Sequence, residues 1–111
     1  IRAEAYARKG GSNEATALAD LNTLRAARIS GFVPGIETGS ALMNAIEMER
    51  RKELISEGHR WFDLKRTSKA INRSNCSVFC TLIASDRAWT WPLPIAEINA
   101  NPGILPQNPG Y

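Results

Sequence analysis

The sequence predicts an all-α fold, in which a helical hairpin and longer helices are followed by an extended C-terminal tail rich in Pro, Gly and Asn. Three observations support this assignment. Leucine and alanine near the N-terminus recur at helical spacing and are interrupted by a Gly-Gly pair. A second run with helical spacing begins after Ser40. All prolines except Pro34 lie in the final segment of the chain, beyond Trp91.

The first predicted element is the hairpin. Residues 1–9 are rich in alanine and end at a Gly-Gly pair, which is a strong signal for the end of a helix. A Ser-Asn pair then offers an N-cap, and the next leucines recur every three residues, at Leu18, Leu21 and Leu24. Small alanine side chains permit two antiparallel helices to approach closely. The pattern resembles a tetratricopeptide unit, although one copy does not establish a repeat array.

A long helix is the second predicted element. Residues 32–39 carry Pro and Gly and are expected to form a loop, and Ser40 is a plausible N-cap. The helix is predicted to continue through Glu57 and to weaken at Gly58, after which a further helix ends near Arg66. Its buried face begins with Leu42, Met43 and Ile46.

The C-terminal part has a weaker pattern. Lys69–Ile71 is compatible with an extension of the helix before it, and the short apolar run 78–83 is ambiguous between helix and strand. Beyond it, proline restricts the backbone, so the tail is expected to be extended with turns at each Asn-Pro-Gly. Pro94 is suited to open one helical turn over Ile95–Ile98. Few internal hydrogen bonds are expected, and the tail should be ordered by wrapping on the helical body.

Composition is that of an ordinary globular chain. The 111 residues fit one domain, with 43% hydrophobic and 23% charged residues and a net charge of +3. Positive residues alternate with Glu and Asp, which favours a solvated surface over a patch for nucleic acid or membrane. No apolar run is long enough to span a bilayer. The chain begins Ile-Arg-Ala-Glu without Met, and we expect it to be one helical region, 1–111, cut from a longer protein.

Two cysteines, Cys76 and Cys80, lie four residues apart. With His59 as the only imidazole, they lack the partners of a closed zinc site. A disulfide requires the local backbone to bring the sulfurs together, so a bridge and two free thiols both remain open.

Acidic residues at four-residue spacing interrupt the apolar face of the long helix, at Glu49, Glu53 and Glu57. Like charges at this spacing repel, and neighbouring arginines are expected to compensate them. We therefore predict a structural ion network at a helix crossing near Gly58, formed by Glu49, Arg50, Glu53, Glu57, Arg60, Asp63 and Arg66. The alternative is acid–base chemistry or a metal site that uses Glu53, Glu57, His59 and Asp63. The many neutralising arginines favour the structural interpretation.

No nucleophile elbow, glycine-rich phosphate loop or metal-spaced histidine pair is present, so the sequence predicts no enzyme, no cofactor and no metal site. Trp89 and Trp91 are weak candidates for ligand binding, because a flat aromatic face suits a pyranose ring. Their spacing of two places both on one side of an extended segment. The alternative is that both anchor the tail on the helices.

Three blocks of the sequence carry a resemblance to a known family. The first is Glu49-Arg50-x-x-Glu53-Leu54-x-x-Glu57-Gly58-x-Arg60-x-x-Asp63-Leu64-x-Arg66. The second lies in the tail, with Pro92-Leu93-Pro94, Glu97-Ile98, Asn101-Pro102 and the closing Gln107-Asn108-Pro109-Gly110-Tyr111. The third is Leu21-Asn22-x-x-Arg25 in the hairpin. In order and spacing they resemble the C-terminal region of the SusD/RagB family, while residues 71–88 match no pattern of it.

The resemblance implies a tetratricopeptide-like scaffold within an outer-membrane, cell-surface lipoprotein of Bacteroidetes-type bacteria. Such proteins bind glycans, sometimes peptides, and deliver them to a SusC-like, TonB-dependent transporter. The membrane would be reached only through an N-terminal lipid anchor, which this chain lacks. Since the family's ligand-contacting residues form no shared motif, none is carried over. The alternative function is a helical-repeat adaptor for other proteins without a glycan role, and binding of nucleic acid is not expected.

Overall fold

The computed structural model describes residues 1–111, and more than half of them are helical. The predicted all-α class is therefore confirmed. The chain divides into two compact units, 1–58 and 59–111. None of the helices combines the length and the apolar character that a membrane span requires.

The first unit contains three helices, α1 (Arg2–Lys9), α2 (Asn13–Arg28) and α3 (Gly39–Glu53). The helix α1 ends where predicted, because Gly10 has a φ of 70° and lies in the left-handed region that glycine adopts without steric cost. The core is formed by Ala17, Leu21, Leu42 and Ile46, which are at most 6% exposed. Alanines of α1 pack against this core, so the close-packed hairpin of small residues is present as expected.

The loop between α2 and α3 is attached to the hairpin by side chains. The Asn22 amide donates to the Gly35 carbonyl at 3.1 Å and accepts from the Gly35 N–H at 3.0 Å, as a peptide group of a neighbouring strand would. The N-cap of α3 is Thr38, so the expected cap at Ser40 is wrong. Instead, the Glu14 carboxylate accepts a hydrogen bond from the Gly39 N–H at 3.0 Å, which places a negative charge at the positive end of the α3 dipole.

The long helix is shorter than predicted. It ends at Glu53, and Leu54 is its C-cap, so the expected continuation to Glu57 is wrong. Ser56 and Gly58 have φ values of 66° and 74°, which a right-handed helix cannot contain. Glu57 therefore lies in a turn rather than on the face that carries Glu49.

The second unit contains α4 (His59–Arg66), β1 (Ile71–Asn72), β2 (Thr81–Leu82) and α5 (Ile95–Ala100). Two short 3-10 helices, Arg87–Trp89 and Pro102–Ile104, complete it. The strands pair antiparallel with Ile71 opposite Leu82 and Asn72 opposite Thr81. The suggested extension of α4 over Lys69–Ile71 does not form, because Ser68 has a φ of 52° and ends the helical path. The apolar run near residue 80 contributes a strand.

The tail carries more internal hydrogen bonds than its proline content suggested. The Gln107 side chain accepts from the Leu93 N–H at 2.6 Å and donates to the Leu93 carbonyl at 3.0 Å. Asn108 donates to the Trp91 carbonyl at 2.6 Å. The turn opened by Pro94 is present as α5. Two parts of the tail are thus joined by side-chain amides, while wrapping on the helical body stays a prediction.

Candidate functional site

Arg25, on α2, pairs with two carboxylates of the first unit. Its Nη1 donates to Glu37 Oε1 at 2.7 Å, and its Nε donates to Glu49 Oε2 at 2.9 Å. The other oxygen of Glu49 accepts from Lys52 Nζ at 3.2 Å. We call these four residues the Arg25 network. They join α2, the loop before α3, and α3 itself.

The Arg25 network is largely shielded from water at its centre. The side chains of Arg25 and Glu49 are 15% and 8% exposed, whereas that of Lys52 is 60% exposed. Taking a carboxylate and a guanidinium out of water costs free energy, which their mutual hydrogen bonds offset. Loss of one member would leave the other poorly solvated, and this makes the network a structural element.

The two carboxylates of the network, Glu37 and Glu49, have pKa values below the ordinary value of a glutamate. The hydrogen bond from Arg25 lowers the pKa of Glu37. Burial raises the pKa of Glu49, but hydrogen bonds from Arg25 and Lys52 outweigh it, and the net shift is downward. General acid–base catalysis near neutral pH needs a pKa close to the working pH, so these shifts point away from such a role.

A second pair continues the contact between α2 and α3 toward the surface. Arg28 donates through Nε and Nη2 to the two oxygens of Glu53, both at 2.9 Å. The spacing of three residues from Arg25 to Arg28 places both guanidiniums on one side of α2, opposite the α3 carboxylates. Arginine suits this arrangement because its planar fork matches a carboxylate.

The seven residues of the predicted ion network are distributed over both units. Glu49 and Glu53 lie on α3 and pair with Arg25 and Arg28 of α2, two partners that the spacing of charges along the sequence does not predict. Arg50 lines a groove of the first unit. In the second unit, Arg66 Nε donates to Asp63 Oδ1 at 2.9 Å. Glu57 and Arg60 are exposed. The network at Gly58 itself stays a prediction.

A groove of about 310 Å³ opens between α1, α2 and α3. Its walls are mainly apolar, with Leu21, Leu24, Ile46 and Leu54 among the lining residues. Acidic residues at its edge already have basic partners. Asp20 accepts two hydrogen bonds from Arg2, at 2.6 and 2.8 Å, which lower the pKa of Asp20. The groove therefore offers apolar surface between neutralised charges.

The two candidate tryptophans have different environments. Trp89 ends a 3-10 helix and is 7% exposed, whereas Trp91 is 80% exposed. The expectation that both lie on one side of an extended segment is wrong, because the 3-10 turn at Trp89 breaks the alternation of a strand. The Trp89 ring lies 4.6 Å from the Trp61 ring, and its indole N–H donates to the Ile83 carbonyl at 2.7 Å. Trp89 acts as an anchor within the second unit, and Trp91 keeps an open face.

A second, smaller cavity of about 290 Å³ lies beside Trp89 in the second unit. Lys65, Ser68, Asp86 and Thr90 contribute polar groups to it. Two of these already serve local structure: Lys65 Nζ donates to the Trp89 carbonyl at 2.9 Å, and Asp86 accepts from the Ala88 N–H at 2.8 Å. Of the residues considered for a metal site, Glu53 and Glu57 belong to the first unit, and His59 and Asp63 belong to α4 of the second unit.

The contacts that Arg25 and Asn22 make were not evident from helical periodicity. The available signal was their presence in the block Leu21-Asn22-x-x-Arg25, which periodicity leaves unexplained. Burial of one apolar face of the helix does not by itself require Asn at position 22 or Arg at position 25. In the structure Asn22 holds the Gly35 peptide and Arg25 holds Glu37 and Glu49.

Comparison with known proteins gives consistent matches along the chain. The SusD family matches residues 1–111. Two SusD-like proteins of Formosa agariphila are 36% and 31% identical to it, over 100% and 91% of this chain. A crystal structure of a SusD superfamily protein from Bacteroides vulgatus superposes with a TM-score of 0.77 at 30% identity and covers 99% of the chain.

The matched regions are small parts of the relatives. The chain spans 22% and 21% of the two Formosa proteins and 25% of the Bacteroides protein. The family match therefore includes both the three-helix unit with its arginine–carboxylate pairs and the amide-linked tail. The chain belongs to the SusD family.

Proposed function

We propose that this chain is the C-terminal scaffold of a cell-surface glycan-binding protein, which delivers its ligand to a SusC-like, TonB-dependent outer-membrane transporter. It acts by binding, without catalysis. The observation that carries the proposal is the family match over all 111 residues, combined with relatives four to five times longer. The ligand would be a glycan, contacted mainly by parts of the longer protein outside this chain.

The scaffold role is supported by what the family-like residues contact. Asn22, Arg25 and Glu49 are used to join helices and a loop within the first unit. Gln107 and Asn108 are used to join two parts of the tail. Polar side chains that already form hydrogen bonds within the chain have few donors and acceptors left for sugar hydroxyls. The same residues are well placed to keep a supporting surface in one shape.

A location outside the cytoplasm is supported by the cysteines. Cys76 and Cys80 form a disulfide with their Cα atoms 5.4 Å apart. Disulfides persist in the periplasm and on cell surfaces and are rare in the reducing cytoplasm. This observation is independent of the family match and agrees with an outer-membrane, surface-facing lipoprotein.

The proposal is tested by comparing this chain with the full-length protein. Titration of starch- or mucin-type glycans by calorimetry should give saturable binding only for the full-length protein. Copurification from detergent-solubilised outer membrane should recover a TonB-dependent transporter with it. Saturable glycan binding by residues 1–111 alone would contradict the scaffold role. If the full-length protein binds no glycan and copurifies with no transporter, the proposal as a whole is contradicted.

A helical-repeat adaptor for other proteins is the second candidate, and the groove between α1, α2 and α3 favours it. An apolar groove on a helical hairpin suits an amphipathic helix. The discriminating measurement is the accessibility of Leu24 in the full-length protein. If Leu24→Cys reacts with a maleimide there, the groove is open for a partner. If it is protected, the groove is covered by the protein's own chain.

Binding to nucleic acid has less support. Such a function would need many cations on one face, including Arg25 and Arg28. Both guanidiniums are held by Glu37, Glu49 and Glu53. Measured binding to DNA with a steep salt dependence would nevertheless support a nucleic-acid-binding function.

A further inference from the structure

The disulfide of the second unit lies within a single β-hairpin. The chain leaves through β1 and returns through β2, and the bridge between Cys76 and Cys80 closes a small ring between these two strands. We call residues 71–82 the cysteine hairpin. Because the two cysteines are only four residues apart in sequence, the crosslink ties the hairpin to itself and to no other helix or strand.

Apart from the disulfide, the cysteine hairpin has few stabilising contacts. Each of its strands is two residues long, and the Arg73 N–H extends the ladder by donating to the Cys80 carbonyl at 2.9 Å. The Thr81 hydroxyl donates to the Asn72 side chain at 3.1 Å. No residue from 65 to 88 is buried, so the hairpin has no core of its own. A two-stranded hairpin without such a core is at best marginally stable in water.

Contacts outside the disulfide ring fix the chain on both sides of the cysteine hairpin. Before it, the Lys69 N–H donates to the carbonyl of the buried Leu64 at 3.0 Å. After it, the Ile83 carbonyl accepts from the indole N–H of Trp89 at 2.7 Å and from the Asp86 N–H at 3.1 Å. The hairpin can therefore open between two fixed points, while the buried side chains of the second unit keep their contacts.

One residue within the disulfide ring opposes the ordered conformation. Phe79 has a φ of 53°, which lies in the left-handed region that is unfavourable for bulky side chains. Its side chain is 87% exposed, so burial of the phenyl ring does not compensate this cost. Strained residues persist only where their surroundings impose the conformation. Here the ring between Cys76 and Cys80 supplies the constraint, and opening it should let Phe79 return to an ordinary backbone conformation.

We propose that the cysteine hairpin is a redox-controlled element, which is ordered when Cys76 and Cys80 are bridged and open when they are reduced. A dithiol reductant breaks the S–S bond: the two cysteines take up two electrons and two protons and become thiols, and the dithiol becomes a cyclic disulfide. By chain entropy, a ring of this size favours the ordered state about 30-fold. In the reducing cytoplasm the hairpin would stay open, and in an oxidising compartment it would close.

The test compares the oxidised full-length protein with the same protein after reduction by dithiothreitol. Hydrogen–deuterium exchange, resolved to single amides by mass spectrometry, reports opening at Arg73, whose N–H donates across the hairpin. Exchange at Arg73 should become roughly 10- to 30-fold faster on reduction. The amides of Lys69 and Asp86, which belong to the fixed points on either side, should keep their rates.

A Cys76→Ser/Cys80→Ser double variant is the matched control. Without reductant, its exchange at Arg73 should equal that of the reduced parent protein. Dithiothreitol should change nothing further in this variant, because it has no disulfide between these positions. Adding Phe79→Asn to the double variant should slow exchange at Arg73 several-fold, since Asn tolerates the left-handed conformation better than Phe.

Three results would overturn the proposal. The first is free thiols at both cysteines in protein isolated without reductant. The second is unchanged exchange at Arg73 after reduction, which would mean that other contacts order the hairpin. The third is equal acceleration at Arg73, Lys69 and Asp86, which would mean that the disulfide supports the whole second unit. Unchanged exchange on adding Phe79→Asn would overturn the part assigned to Phe79. None of these results depends on whether the full-length protein binds a glycan or a transporter.

Discussion

The Nε of Arg25 lies 2.9 Å from Oε2 of Glu49, and this ion pair connects α2 to the second half of α3 across 24 residues of sequence. The same guanidinium holds Glu37, in the loop that leads into α3. Arg25 therefore determines where the loop and the helix lie on the hairpin. The apolar core alone would tolerate small rotations of α3, whereas the hydrogen bonds of a planar guanidinium have defined directions.

Removing the Glu49 carboxylate should strongly destabilise the first unit. In a Glu49→Ala variant, Arg25 keeps Glu37 but loses its buried partner, and a loss of about 3 kcal/mol in the free energy of unfolding is expected. Urea denaturation followed by circular dichroism measures it. The matched control is Glu53→Ala, whose partner Arg28 is 60% exposed and whose effect should be clearly smaller. Equal effects of the two changes would contradict a special role for the Arg25 network.

Acid should destabilise the first unit through the same carboxylates. The pKa values of Glu37 and Glu49 are lower in the folded chain than the ordinary value of 4.5, so the unfolded chain takes up protons first as the pH falls. Their contribution should be complete above about pH 5.5 and should be lost progressively as the pH falls through 4.5 and below. Urea unfolding at a series of pH values from 7 to 3 would check this.

The control for the acid effect is Glu37→Gln, which cannot ionise. This variant should show a shallower loss of stability between pH 5 and pH 3 than the parent chain. Identical pH profiles would mean that Glu37 has the same pKa in the folded and the unfolded state.

Trp89 and Trp91 should differ sharply in their effect on the second unit. Trp89→Ala removes a buried ring and a hydrogen bond to Ile83, and a loss of about 3–5 kcal/mol is expected. Trp91→Ala changes an exposed ring and should alter stability by no more than about 0.5 kcal/mol. Thermal melting by circular dichroism distinguishes them. If Trp91→Ala lowers glycan affinity of the full-length protein without changing the melting temperature, Trp91 is a ligand contact.

The tail should open locally when the Gln107 amide is changed. Gln107→Glu keeps an acceptor for the Leu93 N–H but removes the donor to the Leu93 carbonyl. Gln107→Ala removes both. Hydrogen–deuterium exchange at the Leu93 amide should be faster in the Glu variant and fastest in the Ala variant, while exchange in α2 stays unchanged. Equal protection in all three proteins would show that the tail is held by other contacts.

The predicted ion network at Gly58 can be examined through Arg60. The side chain is exposed in the structure, so Arg60→Ala should change the free energy of unfolding by no more than about 0.5 kcal/mol. A much larger loss, measured by urea denaturation, would indicate that Arg60 belongs to a buried network as the sequence suggested.

Local sequence signals determined the helical class and most helix positions. Gly10 ended α1 because its conformation is free of a Cβ clash, and Pro94 preceded α5 because its fixed φ suits a first turn. The spacing of the charged block and of the tail motifs was sufficient to indicate the family, which the comparisons confirm. These signals depend on residues that are close in sequence. They can therefore be interpreted without knowing which helices and strands contact each other in the fold.

Only the tertiary structure decided which charges pair, where α3 ends, and which tryptophan is buried. Glu49 has arginines close by on its own helix, yet a buried partner comes from Arg25 on α2, because packing of Leu21 against Leu42 and Ile46 brings those faces together. Left-handed conformations at Ser56 and Gly58 shortened the helix that a periodic pattern would have prolonged. Trp89 is buried and its ring packs against that of Trp61, whereas Trp91 is exposed. Ion pairs and ring contacts depend on distances between segments, and periodicity along a single segment carries no information about them.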